Sequence, residues 1–408
     1  MTLPLANVQK LCETQPRLRA ASGLKMVGAT SSPSPQGTVS RSEGAVRVLS
    51  VAEASLAHTD ICSFYAENWE RPIALSREDF SNWQFNASPA AFGQNCSIVA
   101  LEGDKIIAVM GVTPAAFLVD GRRQTGAELT TWVVAPAARG KGVGHKILTA
   151  LQDRYDVLTG AGITAAAVPL YLKAGFAFLA HTPRFFHISD FETVQRFAPA
   201  SPSALKLTVD RQSAAAQLKW HATAVSAADL AAQAAALSSV GHFAHDAERL
   251  SWRYDHHPAF EYEAFLIKDA HQSGAGAGVV LRADRVEGTP ILHVIDIFGD
   301  PDDLSAALAF VECEARRRCA AFVDVSLTLG SICARIRARG WSSAIDYPLV
   351  ELPSLFYPVE LRRPATTSMV IWAREGREGL YDFSRLHITR GDMDLDRPTL
   401  EWYERNAC

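Results

Sequence analysis

The chain has 408 residues, 48% of them hydrophobic, and a formal net charge of −4 at pH 7. This length exceeds one ordinary domain and suits two, each able to bury a sizeable core. The negative charge, without a long run of lysine or arginine, argues against a nucleic-acid-binding protein. No stretch reaches the ~18 consecutive apolar residues of a membrane span, and the N-terminus lacks the apolar segment of a signal peptide.

The seven cysteines are scattered, with neither a CxxC motif nor the His/Cys spacing of a metal site. This odd count favours reduced thiols over a disulfide framework. We therefore expect a cytoplasmic protein without a metal.

Residues 1–44 contain SSPSPQGTVSRSEG, a stretch rich in serine, proline and glycine, which predicts a disordered segment. Ordered structure is expected to begin with AVRVLSV as a strand, followed by SLAHTDICSFYAENW as a helix. Strands with turns at Gly103-Asp104 and Asp120-Gly121 come next, up to TTWVV.

The most informative stretch is TTWVVAPAARGKGVG, which ends at Gly144. Its β-branched and aromatic run from Thr131 to Val134 predicts a buried strand, and HKILTALQDRY after it has the spacing of an amphipathic helix. The glycines between them allow a close backbone approach to an anion at the helix N-terminus. The loop is not a P-loop, which would need Lys-Ser/Thr after the glycines. It is not the dinucleotide-binding motif either, because that motif has a different order of glycines.

This Arg-x-x-Gly-x-Gly loop, preceded by V-x-P, resembles the acyl-CoA pyrophosphate loop of the GNAT acyltransferase superfamily. A second block, PLYLKAGF from Pro169 to Phe176, resembles the following family element, in which a short helix carrying a tyrosine runs into a glycine-aromatic pair. Between the two blocks there is room for one helix and one strand, and ITAAAV is predicted as that strand. The resemblance implies binding of acetyl-CoA or another acyl-CoA.

An internal repeat indicates two similar halves. WQFNASPA, starting at Trp83, reappears as WRYDHHPA, starting at Trp252, with the tryptophan, the aromatic residue and Pro-Ala at identical spacing. The predicted fold class is α+β (mixed α/β), with two tandem GNAT-like domains, each a twisted mixed sheet flanked by helices. The predicted boundaries are 1–44 for the disordered segment, 45–195 for the domain with the acyl-CoA site, 196–210 for a linker, and 211–408 for a degenerate domain with a C-terminal extension.

The second half lacks the residues that bind the cofactor. Asp300, Asp302 and Asp303 stand where the first half has its glycine loop, and Ile336 corresponds to Tyr171. Carboxylates suit a helix start but repel a pyrophosphate. A single acyl-CoA site is expected.

The resemblance implies roles for individual residues. Tyr171 would protonate or hydrogen-bond the leaving sulfur, although a packed aromatic is the alternative. Glu128 would be the general base, with a salt-bridged glutamate as the alternative, and His256 and His257 are further candidates near the acceptor. The remaining cofactor contacts would be the backbone of Val133 and Val134 and the loop Arg139, Gly140, Lys141, Gly142, Val143 and Gly144.

The acceptor is predicted from weaker signals. The C-terminal FSRLHITRGDMDLDRP resembles the endings of tandem-GNAT N-acyltransferases that act on nucleotide-linked amino sugars for surface polysaccharides. In that case Asp394, Asp396 and Arg397 would contact the sugar, and Trp83 would stack on it or belong to the core. The alternatives are an aminoglycoside, a polyamine, an amino acid or a protein lysine as acceptor, or a non-catalytic acyl-CoA-binding protein. The transferred acyl group is expected to be either acetyl or a short hydroxyacyl group. For the oligomeric state, monomer and homodimer are equally expected.

Overall fold

Two mixed β-sheets carry the core of the unit formed by Gly44–Cys408 in the computed structural model. The structure describes residues 45–198, 200–213, 218–237, 239, 241–271, 274–286, 288–346, 350–353 and 365–406. The segment predicted to be disordered, 1–44, lies outside the described residues.

The strands are β1 Arg47–Ser50, β2 Ile98–Glu102, β3 Lys105–Val119, β4 Arg122–Val134, β5 Val157–Ala161, β6 Ala177–Leu179, β7 Arg184–Ile188, β8 Trp220–Val225, β9 Gly241–Phe243, β10 Glu263–Asp269, β11 Ala277–Val286, β12 Thr289–Gly299, β13 Phe322–Ser326, β14 Ser342–Ser343, β15 Met369–Ala373 and β16 Leu386–His387. The helices are α1 His58–Asn68, α2 Glu78–Phe85, α3 Val143–Arg154, α4 Val168–Lys173, α5 Phe191–Phe197, α6 Pro202–Ser213, α7 Ala231–Ala234, α8 Ala247–Leu250, α9 Leu304–Arg317, α10 Gly330–Ala338, α11 Arg377–Leu380 and α12 Leu400–Asn406. Among the described residues, no helix combines the length and apolarity that crossing a membrane requires.

The two sheets share one strand order. The first runs β1-β2-β3-β4-β5-β15-β6, with β9 paired to β3 and β16 paired to β9, and the second runs β8-β10-β11-β12-β13-β7-β14. Within each seven-strand path every pair is antiparallel except one, β4 with β5 in the first sheet and β12 with β13 in the second. The predicted mixed α/β fold class, with two mixed sheets flanked by helices, is confirmed.

The halves exchange one strand. β7, from the first half of the chain, lies between β13 and β14 in the second sheet, and β15, from the C-terminal part, lies between β5 and β6 in the first. Each sheet is therefore completed by residues from the other half. The segment predicted as a linker, 196–210, holds the end of α5 and most of α6.

The prediction of a strand at ITAAAV is wrong. The strand is Val157–Ala161, one segment earlier, and residues 163–168 form a turn that enters α4. The left-handed backbone of Gly162 follows directly after β5. The run of alanines after it suits a helix start better than a strand, because alanine has high helix and low strand propensity.

A buried group of charges joins the second sheet to the C-terminal segment. Asp324 on β13 is fully buried and accepts hydrogen bonds from Arg184 on β7 at 2.7 Å, from Arg390 at 3.0 Å and from His293 on β12 at 2.5 Å. Burial alone would raise the pKa of Asp324, but Arg390, His293 and Arg184 outweigh it and hold the pKa well below its ordinary range.

Replacing this carboxylate is expected to cost more stability than replacing an exposed one. Asp324→Asn leaves the buried Arg184 and Arg390 without their counter-charge, so the free energy of unfolding should fall by about 3–5 kcal/mol. Asp210→Asn is the matched control, because Asp210 pairs with Lys206 at 3.1 Å on the surface, where such pairs contribute about 0–1 kcal/mol. Denaturant unfolding of both variants measures the difference, and equal losses would contradict the structural role assigned to Asp324.

Candidate active site

The first sheet opens between β4 and β5. These parallel strands pair from Gly126 with Val157 as far as Leu129 with Gly160, and β4 continues to Val134 without a further pairing to β5. The backbone of residues 130–134 on that side is thus left outside the ladder between the two strands. A cleft of this kind exposes backbone donors and acceptors to an extended ligand.

A β-bulge lies where the strands part. Met110 of β3 pairs with Trp132 and Gly111 pairs with Thr130, so that Thr131 is the extra residue. Thr131 has a φ of 43°, in the left-handed region that is costly for a β-branched side chain. Strain of this kind, held in place by the surrounding structure, is typical of functional sites.

The glycine loop continues from β4 into α3. Gly140 and Gly142 have φ values of 78° and 74°, and Gly142 is the N-cap of α3. The loop from Arg139 to Gly142 is exposed. No acidic residue lies in the first turn of this twelve-residue helix. The backbone N–H groups and the helix dipole are therefore available to an anion.

The residues around this loop are fixed by packing. Val143, Ile147, Leu148 and Leu151 are buried on one face of α3, which is the spacing of an amphipathic helix. Arg139 donates from Nε to the carbonyl oxygen of Val134 at 3.1 Å and leaves the rest of its guanidinium exposed. The loop is thus anchored while its basic side chain faces solvent.

Tyr171 lies on α4 beside the continuation of β4. Its ring contacts Trp132 edge-on at 5.5 Å between centroids and Phe176 at 5.0 Å, and the residue is 3% exposed. Burial raises the pKa of Tyr171, so that its hydroxyl carries a proton at neutral pH. Among the described residues, no hydrogen bond is made by this hydroxyl.

Glu128 lies just before the opening of the strands and lines a small cavity. The cavity lies among β3, β4, α2, the helical turn Ser251–Asp255 and the C-terminal segment. Its lining residues are Trp83, Gln84, Thr113, Glu128, Trp252, Arg253, Met393, Asp394 and Asp396. The cavity is acidic, with three carboxylates and one arginine. Arg253 is itself paired with Asp396 at 3.1 Å.

A polar network joins this cavity to the bulge. The backbone N–H of Asp394 donates to Glu128 Oε1, and Asp394 pairs with Arg397 at 2.5 Å. Arg397 also donates to the hydroxyl groups of Thr130, at 3.3 Å, and Thr131. The Gln84 amide donates to Asp394 at 3.0 Å. The C-terminal segment therefore connects the predicted base to the strained residue where β4 leaves β5.

Glu128 is poised to exchange a proton near neutral pH. Burial first, and then the negative charge of Asp394, raise the pKa of Glu128 to about 8. Burial also raises the pKa of Asp394, against the opposing effect of Arg397. Two interacting carboxyl groups in one buried site favour a state that holds one proton between them.

This raised pKa makes stability depend on pH. In the unfolded chain the Glu128 pKa returns to about 4.5. The folded chain therefore binds the proton more tightly, which stabilises the fold fully below pH 4.5. This contribution to the free energy of unfolding is lost as the pH rises from 4.5 through 8. Glu128→Gln should therefore gain stability relative to the wild type between pH 5 and pH 9. Exposed Glu102→Gln is the control, and denaturant midpoints measured across this range provide the readout. A constant difference between Glu128→Gln and the wild type would show that the Glu128 pKa is not raised.

The aromatic residues of the repeat meet each other. The Trp83 and Trp252 rings stack at 5.0 Å, and each indole N–H donates to the other residue's carbonyl oxygen, at 3.2 and 3.0 Å. Both tryptophans line the cavity. His257 packs edge-on against Trp83 at 4.3 Å, whereas His256 is exposed. Neither histidine is among the cavity-lining residues.

The corresponding loop of the second half is occupied by its own carboxylates. Asp303 is fully buried and accepts from the backbone N–H groups of Asp269 at 2.7 Å and Gly276 at 2.9 Å, while Asp300 accepts from Ala275 at 3.4 Å. These donors lie at the end of β10 and the start of β11, and within the loop itself the backbone N–H of Asp302 donates to Asp300 at 3.0 Å. The glycine loop of the first half has no such internal acceptor.

Sequence reasoning missed several members of the site. It raised Asp394 and Arg397 only as possible sugar contacts, and it did not single out Gln84, Thr113 or Arg253. Asp394 is 266 positions from Glu128 along the chain, so that no local motif joins them. The recurrence of tryptophan at 83 and 252 was the one available signal for this cavity.

Comparison with known proteins gives one family match and several distant structural matches. Residues 58–176 match the model of the acetyltransferase (GNAT) family. A GCN5-related N-acetyltransferase from Kribbella flavida is 18% identical, covers 81% of this chain and 71% of its own, and has a TM-score of 0.47. A GCN5-related N-acetyltransferase from Anabaena variabilis is 12% identical, the match covers 80% of this chain and 72% of that one, and the TM-score is 0.48. N-myristoyltransferase from Saccharomyces cerevisiae with bound myristoyl-CoA is 9% identical, the match covers 84% of this chain and 85% of that one, and the TM-score is 0.45.

The sequence has no match among curated proteins. The functional argument therefore depends on the family match and on the geometry of the site, and the solved structures carry no part of it. The match to the acetyltransferase (GNAT) family is confined to residues 58–176, which hold α1, β2 to β5, the glycine loop and α4.

Proposed function

We propose that this protein transfers an acyl group from acyl-CoA to the primary amine of a small acceptor, with the acyl-CoA between β4 and β5 and the amine in the acidic cavity. The observation that carries the proposal is the placement of Glu128. Its carboxyl group lines the cavity, and Asp394 and Arg397 connect it to Thr131, where β4 leaves β5. A base, an amine site and a thioester site are thereby adjacent along one strand.

The binding roles follow from the same strand. The pyrophosphate of the acyl-CoA would lie against the loop from Arg139 to Gly144, where the glycines and the α3 N-terminus offer backbone N–H groups. The pantetheine would pair with β4 past Leu129. The backbone N–H of Val134 would then face the thioester carbonyl, because the N–H groups of Val133 and Ala135 are on the side of β3.

The chemistry would proceed by direct attack. Glu128, in its carboxylate form, takes a proton from the ammonium group of the acceptor, and the neutral amine forms a C–N bond to the thioester carbonyl carbon. The oxyanion of the tetrahedral intermediate is held by the backbone N–H of Val134. The C–S bond then breaks, Tyr171 protonates the leaving thiolate, and the amide nitrogen loses its second proton to solvent.

The first candidate acceptor is a nucleotide-linked amino sugar, and the acyl group acetyl or a short hydroxyacyl. The support is the resemblance of the C-terminal segment to sugar N-acyltransferases, together with the place of Asp394 and Asp396 in the cavity wall. Trp83 and Trp252 line the same wall, and the edges of their stacked rings would border a bound sugar. Such a reaction would serve polysaccharide biosynthesis.

A second candidate is a cationic multi-amine, namely a polyamine or an aminoglycoside. The three carboxyl groups in the cavity wall favour it, because those of Glu128, Asp394 and Asp396 can accept hydrogen bonds from ammonium groups. A nucleotide diphosphate, by contrast, would have to lie outside this acidic wall.

The test is thiol release from acetyl-CoA and from a short hydroxyacyl-CoA against a panel of amines. The panel holds dTDP- and UDP-linked amino sugars, spermidine, an aminoglycoside, free amino acids and a lysine peptide. Release with a nucleotide sugar alone supports the first candidate, and release with spermidine or the aminoglycoside supports the second. Acyl-CoA binding without release for any amine would overturn the catalytic proposal in favour of an acyl-CoA-binding protein.

We further propose that the two halves are tandem GNAT-like domains, with the second degenerate, and that the protein acts in the cytoplasm as a monomer or a homodimer. The shared strand order and the reciprocal contact of Trp83 with Trp252 support the tandem relation. Sedimentation of the full chain distinguishes monomer from dimer.

A further inference from the structure

A group of two histidines and an aspartate lies buried where three chain segments meet. His245 follows β9, Asp296 lies on β12, and His387 lies on β16. β9 and β16 belong to the first sheet and β12 to the second. The three side chains are each at least nine-tenths buried.

Their donor atoms converge on one point. One nitrogen of each histidine and one oxygen of Asp296 all lie within 4.8 Å of one another. His245 Nε2 is 3.2 Å from Asp296 Oδ2 and 3.7 Å from Oδ1 of Asp392, a fourth buried residue and the second with a carboxylate. Donor atoms around a tetrahedral zinc ion are about 3.3 Å apart, so that small side-chain adjustments would close the set.

The orientation of His387 matches that of a metal ligand. Its Nε2 lies 2.9 Å from the carbonyl oxygen of Ile297, so that Nε2 carries the proton and donates it there. The other ring nitrogen, Nδ1, then has a lone pair, is fully enclosed and has no hydrogen-bond partner. Metal-ligating histidines commonly donate their other ring N–H to a backbone carbonyl in this manner.

Further donor atoms of the group are also unpartnered. His245 Nδ1 and Asp296 Oδ1 are enclosed and make no hydrogen bond, while Asp296 Oδ2 accepts from the Tyr254 hydroxyl at 2.9 Å and lies 3.2 Å from His245 Nε2. Buried polar atoms are nearly always partnered in folded proteins. An ion bound by His387 Nδ1, His245 Nε2 and Asp296 Oδ1 would give a partner to two of the enclosed atoms, His387 Nδ1 and Asp296 Oδ1.

The charge of the pocket also suits a cation. Asp296 and Asp392 bring two negative charges, and Arg249, 3.4 Å from Asp392, brings one positive charge. With both histidines neutral, one negative charge is left uncompensated in a site closed to water, and a buried unpaired charge is costly. The competing arrangement is a protonated His245 between the two aspartates, which would need no metal.

We propose that His245, Asp296 and His387 bind a Zn²⁺ ion, with Asp392 as the fourth ligand. Two imidazoles and two carboxylates form a donor set that zinc accepts in a closed tetrahedral site. The ion would be structural, holding β12 against β9 and β16. Asp392 would also tie it to the segment that carries Asp394 and Arg397. The proposal departs from the expectation of no metal, which was drawn from residue spacing alone.

The test uses the untagged full chain, because a histidine tag would itself bind zinc. The protein, purified from zinc-supplemented culture, should contain about one zinc per chain by elemental analysis. After chelation, Zn²⁺ added back should raise the unfolding temperature. In competition with a chromophoric chelator, Asp296→Asn and His387→Gln should each bind Zn²⁺ at least about 100-fold more weakly, while exposed His271→Gln binds it like the wild type.

Two results would overturn the proposal. One is a wild-type chain that contains no zinc and gives no visible absorption bands of tetrahedral Co²⁺ after cobalt titration, which would leave the protonated His245 arrangement. The other is zinc binding of equal strength in the wild type and in both variants. The wild-type measurements need no variant to fold, and none of the readouts depends on acyl transfer.

Discussion

Replacing Glu128 by glutamine is expected to lower kcat about 10²–10⁴-fold and to leave acyl-CoA affinity unchanged. Glutamine keeps the size of the side chain but cannot take the proton from the ammonium group of the acceptor, and general-base catalysis contributes a factor of this order. The glycine loop that would hold the pyrophosphate is separate from the carboxyl group. Steady-state thiol release gives kcat, and calorimetry with CoA gives the affinity.

Glu102→Gln is the matched control, because Glu102 is exposed at the end of β2. It should retain wild-type kcat. If Glu128→Gln retained kcat within about threefold, the assignment of Glu128 as the base would be wrong. A second outcome, equal loss of CoA affinity and of kcat, would indicate that the variant damages the cleft rather than the proton transfer.

The second large effect is expected at Arg139. Arg139→Glu removes a charge-assisted contact to the CoA phosphates and adds a repulsive carboxylate, so that acyl-CoA binding should weaken by at least ~2 kcal/mol, or about 30-fold. The side chain is exposed, with a single hydrogen bond to Val134, so the fold should tolerate the change. Calorimetric titration with acetyl-CoA measures the affinity.

Arg122→Glu provides the comparison for this variant. Arg122 is an exposed arginine at the start of β4, whereas Arg139 lies in the loop after the end of that strand. The substitution changes the net charge of the protein equally. Its affinity for acetyl-CoA should stay within about twofold of the wild type. Equal losses in the two variants would indicate general electrostatic attraction, and an unchanged affinity in folded Arg139→Glu would place the cofactor elsewhere.

Local patterns were sufficient to predict most elements of the fold. The turn at Asp120-Gly121 joins β3 and β4 with positive φ at both residues, the conformation for which Asp-Gly is favoured. The strand within AVRVLSV, the helix within SLAHTDICSFYAENW and the helix after the glycine loop are also confirmed. In each case, the periodicity of the apolar residues agrees with the way the segment is buried.

Long-range placement could not be predicted in this way. Nothing near Met369–Ala373 indicates that β15 completes the first sheet, because a short apolar run specifies a strand but not its neighbours. The C-terminal segment then continues to Asp394, which donates to Glu128 and pairs with Arg397, and no local pattern indicates these contacts. The convergence of His245, Asp296 and His387 likewise arises from tertiary structure, with no spacing that a motif could capture.

A crystal structure of the protein with acetyl-CoA tests the central claim most directly. The account predicts the pyrophosphate on the backbone N–H groups between Arg139 and Gly144, and the pantetheine along β4 beyond Leu129. The thioester should face the cavity lined by Glu128. Acetyl-CoA bound against the second sheet, or bound with its thioester away from Glu128, would contradict it.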